Sequence, residues 1–144
     1  MPLIELKALG IWCGGRRSDR RAWVDLVGRA FGDPPEERFR PSLQAVAAAA
    51  HVLIIASLGG ADAGAAGLGI VGDTAILFSG SVLPAFRRQG VHGALLAARL
   101  GLASARGAQH AVLKTRADSP AERSAIKHGF VRTTVRRTLR RQTL

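Results

Sequence analysis

The sequence predicts an α/β fold with a mixed, mostly antiparallel central sheet and flanking helices, in the order β-α-α-β-β-β-α-β-α-β. Three observations carry that reading. Residues 52–57, 65–71 and 74–82 are apolar runs joined by glycine-bearing turns, the pattern of an antiparallel meander. Residues 93–106 then place apolar side chains at helical spacing. Residues 111–116, which follow that helix, read as the next strand, and because a helix intervenes it must lie parallel to 74–82.

Taken in order, residues 3–9 alternate weakly and predict an edge strand, and Gly14-Gly15-Arg16-Arg17 reads as a loop. Ser18 or Asp19 can cap a helix running to about Phe31, with Ala22, Trp23, Leu26, Val27 and Ala30 on its apolar stripe. Gly32-Asp33-Pro34-Pro35 breaks the chain, and a short alanine-rich helix is expected from about Ser42 to Ala49, stopping near His51. Strand 52–57 leads through a glycine-rich turn, 58–64, into 65–71, and Gly72-Asp73 turns tightly into 74–82. In the helix 93–106, Val91, Leu95, Ala98 and Leu102 form one stripe, with Leu96, Leu100 and Ala103 beside it. Gly107 is placed as its stop. Asp118 or Ser119 can cap the next helix, with Pro120 in its first turn. Residues 130–139 are strand-like, and Arg132, Arg136 and Arg137 suit that strand to an exposed edge.

Size and composition bound the class. With 144 residues, 47% of them hydrophobic, the chain reads as one domain, residues 1–144, able to bury its own core. The apolar stretch 45–66 is interrupted by His51, Ser57, Gly59, Gly60 and Asp62, so no membrane span is expected. The first ten residues lack the basic start and apolar centre of a secretory signal. Cys13 is the only cysteine, which excludes an internal disulfide and a thiolate metal cluster; a reducing, cytoplasmic location fits. His51, His92, His110 and His128 never share a helix face at metal-ligand spacing, so no metal is expected.

The formal charge is +11, carried by eighteen arginines and three lysines. Abundant alanine, glycine and arginine fit a GC-rich coding bias as well as an anion-attracting surface. Arginine pairs at 16–17, 20–21, 87–88, 136–137 and 140–141 have few aromatic neighbours and no recognised nucleic-acid motif, which favours a solvated face over a nucleic-acid partner. The same charge disfavours strongly cationic substrates.

The chemistry concentrates in Val82 to Ala94, VLPAFRRQGVHGA, where an apolar strand enters a basic, glycine-bearing loop that opens a helix. Such a loop can hold phosphate, because amides around Gly90 and Gly93 are unhindered and the helix N-terminus adds about half a positive charge. Arg87-Arg88-Gln89-Gly90-Val91-His92 resembles the R-x-x-G-x-G/A motif of the GNAT N-acetyltransferase superfamily, with His92 standing where that family usually has Gly or Ala. The resemblance continues through 95–100, 111–116 and 119–128 to Gly129-Phe130, about the C-terminal half of the chain.

The resemblance implies the GNAT acyl-CoA N-acyltransferase fold and acetyl-CoA as cosubstrate. It places the pyrophosphate on Arg87, Arg88, Gln89, Gly90, Val91, His92, Gly93 and Ala94. The pantetheine arm would pair with main-chain groups of Val82 and Leu83, with Pro84 ending the pairing, and Asp118 aligns with a position that often touches the arm. Its catalytic implications meet gaps. The family's usual Tyr, four residues before Gly-Phe, is Ala125 here, and the chain has no tyrosine. The usual Glu on the strand before the loop is missing, although Ser79 and Ser81 can orient a water there. Ser81, Ser124 and His128 are the remaining candidates for proton transfer, and each also has a plain structural reading; His51 reads as structural.

Two functions therefore stand side by side: transfer of acetyl from acetyl-CoA to a primary amine of a small molecule in a ternary complex, or acyl-CoA binding with little turnover. Expected partners are that amine and, as an option, a second copy of the chain. A membrane is not among them, and a basic nucleic-acid-binding protein is the third, weaker alternative.

Overall fold

The computed structural model describes residues 3–10, 17–32, 37–137, 139 and 141. The chain forms two compact units, residues 1–114 and 115–144.

In the first unit, β1 (Ile4–Gly10), β2 (Val52–Leu58), β3 (Ala61–Val71), β4 (Thr74–Val82) and β5 (His110–Leu113) form one sheet in sequence order. The first four strands are antiparallel and β5 is parallel to β4, as the lengths of the connections require. The opening strand pairs along its whole length, from Ile4 opposite Leu58 to Gly10 opposite Val52.

Several boundaries move. The expected loop at residues 14–17 lies largely outside the described residues. Helix α1 (Arg17–Phe31) already includes Ser18 and Asp19, so neither caps it; Asp19 instead puts an acid in the first turn, where the helix dipole favours it. Ala22 is exposed and Val24 is buried beside Trp23, Leu26, Val27 and Ala30. The rotation follows Trp23, which is fully buried and donates its indole N–H to the Ala66 carbonyl at 2.9 Å. Of the expected break at 32–35, only Gly32 is described. Helix α2 (Arg40–Ala49) starts two residues before Ser42, after a 3₁₀ turn over Glu37–Phe39, because Pro41 is tolerated in a first turn. Arg40 secures that start by pairing with Glu37 at 2.9 Å and Asp25 at 2.7 Å.

β3 begins at Ala61, so the β2–β3 turn is only Gly59-Gly60 rather than 58–64. Both glycines have positive φ, +61° and +81°, the conformation a two-residue type I′ hairpin demands. Pairing on both sides overrides the poor strand propensity of this Ala/Gly-rich segment. At the next hairpin, Gly72-Asp73 turns as expected, with Gly72 at φ +60°.

Leu53, Ile55 and Ala65 face α1 and α2, and with Leu9, Trp23, Val27 and Ala47 form one core cluster. Alternation sends Ile54, Gly64 and Ala66 to the opposite face. There helix α3 (Val91–Ala105) packs, with Val91 and Leu95 close against Gly64. Helix α3 starts two residues before the expected Gly93. It ends as expected: Gly107 at φ +83° donates to Ser104, and Ala108 donates to Ala103.

The strand expected at 111–116 is β5, which stops at Leu113. In the second unit, α4 (Pro120–Lys127) is capped by Ser119, whose Oγ accepts from the Glu122 amide at 3.2 Å. Gly129, at φ +89°, and Phe130 close it by donating to Ile126 and Ala125. The strand expected at 130–139 is not formed: residues 130–137 and 139 carry no strand pairing. Val131, Val135 and Leu139 fall on one face at strand spacing, but all three are exposed, so no burial supports a strand there.

Candidate active site

Strand β4 is distorted on both edges at one point. Its parallel pairing with β5 ends at Leu77 opposite Leu113, although β4 runs on to Val82. Against β3, Phe78 faces Gly67 and Ser81 faces Ala65, so Ser79-Gly80 oppose the single residue Ala66. This is a β-bulge, and Ser79 at φ +51° carries its strain. Ser79, Arg88 and Asp118 are the non-glycine residues with positive φ among those described; Ser79 lies in the bulge of β4 and Arg88 in the turn between β4 and α3.

Behind the bulge lies Arg99 of α3, only 3% exposed. Its Nη1 donates to the Phe78 carbonyl at 3.3 Å and its Nε to the Leu95 carbonyl at 3.2 Å. No carboxylate pairs with it among the described residues, and burial pulls its pKa down to about 10. Nη2 sits 3.0 Å from where a Cβ on Gly80 would be, so a side chain there would have to push the guanidinium aside. Arg99 was not singled out by sequence reasoning. The available signals were an arginine four residues after Leu95 on an apolar stripe, and a glycine inside a strand.

Beyond the bulge, Leu83 donates its amide to Ala63 in β3 at 2.8 Å. Alternation then turns the backbone of Val82 towards the edge that β5 has left. The Val82 carbonyl also accepts from Arg87 Nε at 3.2 Å, while Arg87 Nη2 reaches the Ala30 carbonyl at 3.2 Å. Arg87 thereby ties the loop to the last turn of α1. A 3₁₀ turn over Pro84–Phe86 consumes the amides of Phe86 and Arg87.

The amides that follow are placed differently. Ala94 is the first residue of the helix to bond within it, donating to the Gly90 carbonyl at 3.0 Å. The N–H groups of Arg88, Gln89, Gly90, Val91 and Gly93 go to no carbonyl of the described residues. Gly90 is the N-cap at φ +86°, which aims successive amides the same way at the positive end of a fifteen-residue helix. Gln89 Nε2 folds back to the Ala85 carbonyl at 3.3 Å, and Arg88 is exposed. His92 is half-buried in the first turn.

The candidate proton-transfer groups are already engaged. Ser81 is 5% exposed and its Oγ donates to the Ala65 carbonyl at 3.3 Å. Within the second unit, His128 Nδ1 lies 2.8 Å from the Ser124 carbonyl, closing the last turn of α4. Asp118 does not cap α4. Its amide donates to Glu122 at 2.6 Å, its carbonyl accepts from Arg123 at 2.9 Å, and its carboxylate pairs with Arg132 at 3.3 Å. His51 accepts the Ile70 amide on Nδ1 at 3.0 Å, a structural contact. Among the described residues no group of three or more His, Cys, Asp or Glu could hold a metal ion, and no helix is long and apolar enough to cross a membrane.

This architecture is shared with known proteins. The ribosomal-protein-S18-alanine N-acetyltransferase of Escherichia coli superposes with a TM-score of 0.76 at 24% identity, covering 94% of this chain and 82% of that one. An aminoglycoside N-acetyltransferase in complex with CoA gives 0.68 at 18% identity, covering 99% and 97%. A predicted acetyltransferase from Clostridium acetobutylicum, with acetyl-CoA, gives 0.73 at 14% identity, covering 96% of each chain. At these identities the likeness is one of fold. No curated protein matches the sequence. The model of the acetyltransferase (GNAT) family matches residues 19–130, most of the chain and both compact units. With the bulged, half-released β4 and the amide-lined turn into α3, that match means that this chain belongs to the GNAT family of acetyl-CoA-dependent acetyltransferases.

Proposed function

We propose that the chain, acting as a single domain over residues 1–144, transfers acetyl from acetyl-CoA to the primary amine of a small molecule by direct attack in a ternary complex. The observation that carries this reading is the run of uncommitted amides at Arg88, Gln89, Gly90, Val91 and Gly93, set directly after the open edge of β4.

The residues present fit the cosubstrate. A diphosphate would accept hydrogen bonds from those five amides, with the helix N-terminus and the exposed Arg88 supplying positive charge. The backbone of Val82 would pair with the amide-bearing arm as an added strand does. Leu83 and Arg87 support this from behind, because their donors are spent on Ala63, Val82 and Ala30. Gln89, His92 and Ala94 complete the loop, and Asp118 is assigned to the arm by its place in the family pattern. When bound, the cosubstrate supplies an activated thioester whose thiol has an ordinary pKa of about 8.5.

The chain offers no tyrosine to protonate that thiol, and Ala125 stands at the usual position. Ser81, Ser124 and His128 each have a structural engagement. We therefore assign the rate to proximity: amine and thioester held together with water carrying the protons, an effect of roughly 7–11 kcal/mol at best. The relatives named above include a small-molecule and a protein N-acetyltransferase. The net charge of +11 steers this enzyme away from strongly cationic acceptors.

The test is acetyl-CoA consumption across a panel of amines, followed by thiol release. Turnover with a small amine supports the reading. Binding of acetyl-CoA without thiol release from any amine replaces it with the acyl-CoA-binding alternative, and steeply salt-dependent DNA binding that acetyl-CoA does not displace overturns both.

A further inference from the structure

We infer that Arg99 is a positioning residue: its guanidinium takes the Phe78 carbonyl where the bulge begins, and so keeps the bulge that turns Val82 to the open edge of β4, where an extended thioester arm would pair. The inference rests on the acetyl-CoA reading above. Its geometry is independent of the phosphate loop. Leu77 is the last residue of β4 paired with β5, and the next carbonyl, that of Phe78, is claimed by Arg99 at 3.3 Å.

A buried arginine without a carboxylate is expensive to keep, and a purely apolar contact would fill the same volume on the α3 stripe. What an apolar residue cannot do is satisfy a carbonyl that the bulge has released. Without a donor, that carbonyl is best satisfied by regular pairing with Gly67, its partner in β3, which would erase the bulge. A strand without the bulge would keep its even-numbered residues facing β3 and so turn Val82 away from the edge that the arm needs. Gly80 points the same way, since any Cβ there would press on Arg99 Nη2 at 3.0 Å. The strand has given up a side chain where the guanidinium must lie.

Arg99 touches no reacting atom in this scheme, so its removal should affect one part of the cosubstrate more than another. Calorimetry with wild type, Arg99→Met and Arg99→Lys is run against acetyl-CoA and against ADP. ADP carries the diphosphate for the loop but no pantetheine arm. We expect Arg99→Met to weaken acetyl-CoA by about tenfold or more while ADP stays within about twofold of wild type. Arg99→Lys, which keeps one donor for Phe78 and loses the fork, falls between. Equal losses for both ligands would reduce Arg99 to a structural role, and an unchanged acetyl-CoA affinity in a folded Arg99→Met would overturn the proposal outright. Should Arg99→Met fail to fold, Arg99→Lys carries the same comparison. If wild type binds neither ligand, it is the acetyl-CoA reading that fails.

Discussion

The ring of Phe78 lies directly over Gly67, its register partner in β3: a Cβ built on Gly67 would come within 2.1 Å of the ring. The aromatic covers a position where β3 has no side chain, and it packs against the α1–α2 core cluster while its carbonyl serves Arg99 on the other side. One residue thus anchors the bulge to both layers of the first unit.

Gly67→Ala should therefore displace the Phe78 ring and lower stability by about 1–3 kcal/mol, the range for overpacking a filled site. Gly67 does not have a positive φ, so backbone strain is not involved. The mechanism predicts non-additivity. In a Phe78→Leu background, the added methyl should be nearly harmless by urea denaturation. Equal destabilisation in both backgrounds would show that the ring is not what the methyl meets.

Gly90→Val should weaken acetyl-CoA binding more than Arg88→Ala. Valine at φ +86° forces the N-cap out of its conformation and disperses several amides at once, an effect of about 1–3 kcal/mol or roughly 5–150-fold in Kd. Arg88→Ala removes one exposed charge, and about 0.2–1 kcal/mol is the usual scale of such a loss. Titration calorimetry on folded variants ranks the two. Equal affinity of wild type and Gly90→Val would contradict the assignment of the loop.

The turn into α3 was legible because it is written in backbone: Gly90, which takes positive φ at the N-cap, and a following apolar helix leave few other structures open. The meander was legible for a similar reason, since Gly72-Asp73 admits little but a hairpin. The bulge was not, because Ser79-Gly80 reads locally as two more strand residues, and only the register against Gly67 and Ala65 reveals the extra one. Arg99 was hidden by its neighbours, as an arginine in a basic sequence is ordinarily a surface residue. Residues 130–139 misled in the opposite direction: β-branched content and the alternation of Val131, Val135 and Leu139 favoured a strand, but those side chains find nothing to bury them and stay exposed. Ala22 was placed in the core by spacing alone, and the bulk of Trp23 turned the helix away from it.

Acid should loosen the second unit through Glu122. Its carboxylate takes both forks of Arg132 at 2.8 Å and the Asp118 amide at 2.6 Å. Hydrogen bonds from Arg132 come first in holding its pKa below the ordinary 4.5, and the Asp118 amide follows. A carboxylate depressed in the folded state contributes stability that is complete above 4.5 and is lost as the pH falls through the lower folded value. The Asp118 amide resonance should titrate with a midpoint below 4.5, and the midpoint should move upward in Arg132→Gln. A midpoint at or above 4.5 in wild type would mean that the ion pair does not form in solution.

Trp23 separates packing from hydrogen bonding in the core. Its indole N–H satisfies the Ala66 carbonyl, and Ala66 is the residue passed over where β3 meets the bulge of β4. Trp23→Phe keeps most of the apolar volume but removes the indole hydrogen bond to a carbonyl whose residue is also paired with Ile54 in β2, which should lower stability by about 0.5–1.5 kcal/mol. Trp23→Ala adds a cavity and should reach about 3–5 kcal/mol. Both changes should appear as a lower urea midpoint with an unchanged slope, because the surface exposed on unfolding is nearly the same. If Trp23→Phe matches wild type, the indole contributes only bulk, and pairing with β2 is enough for the Ala66 carbonyl. Acetyl-CoA affinity then tells whether the bulge itself has shifted, since a rearranged Ser79-Gly80 would weaken the arm while leaving ADP unaffected.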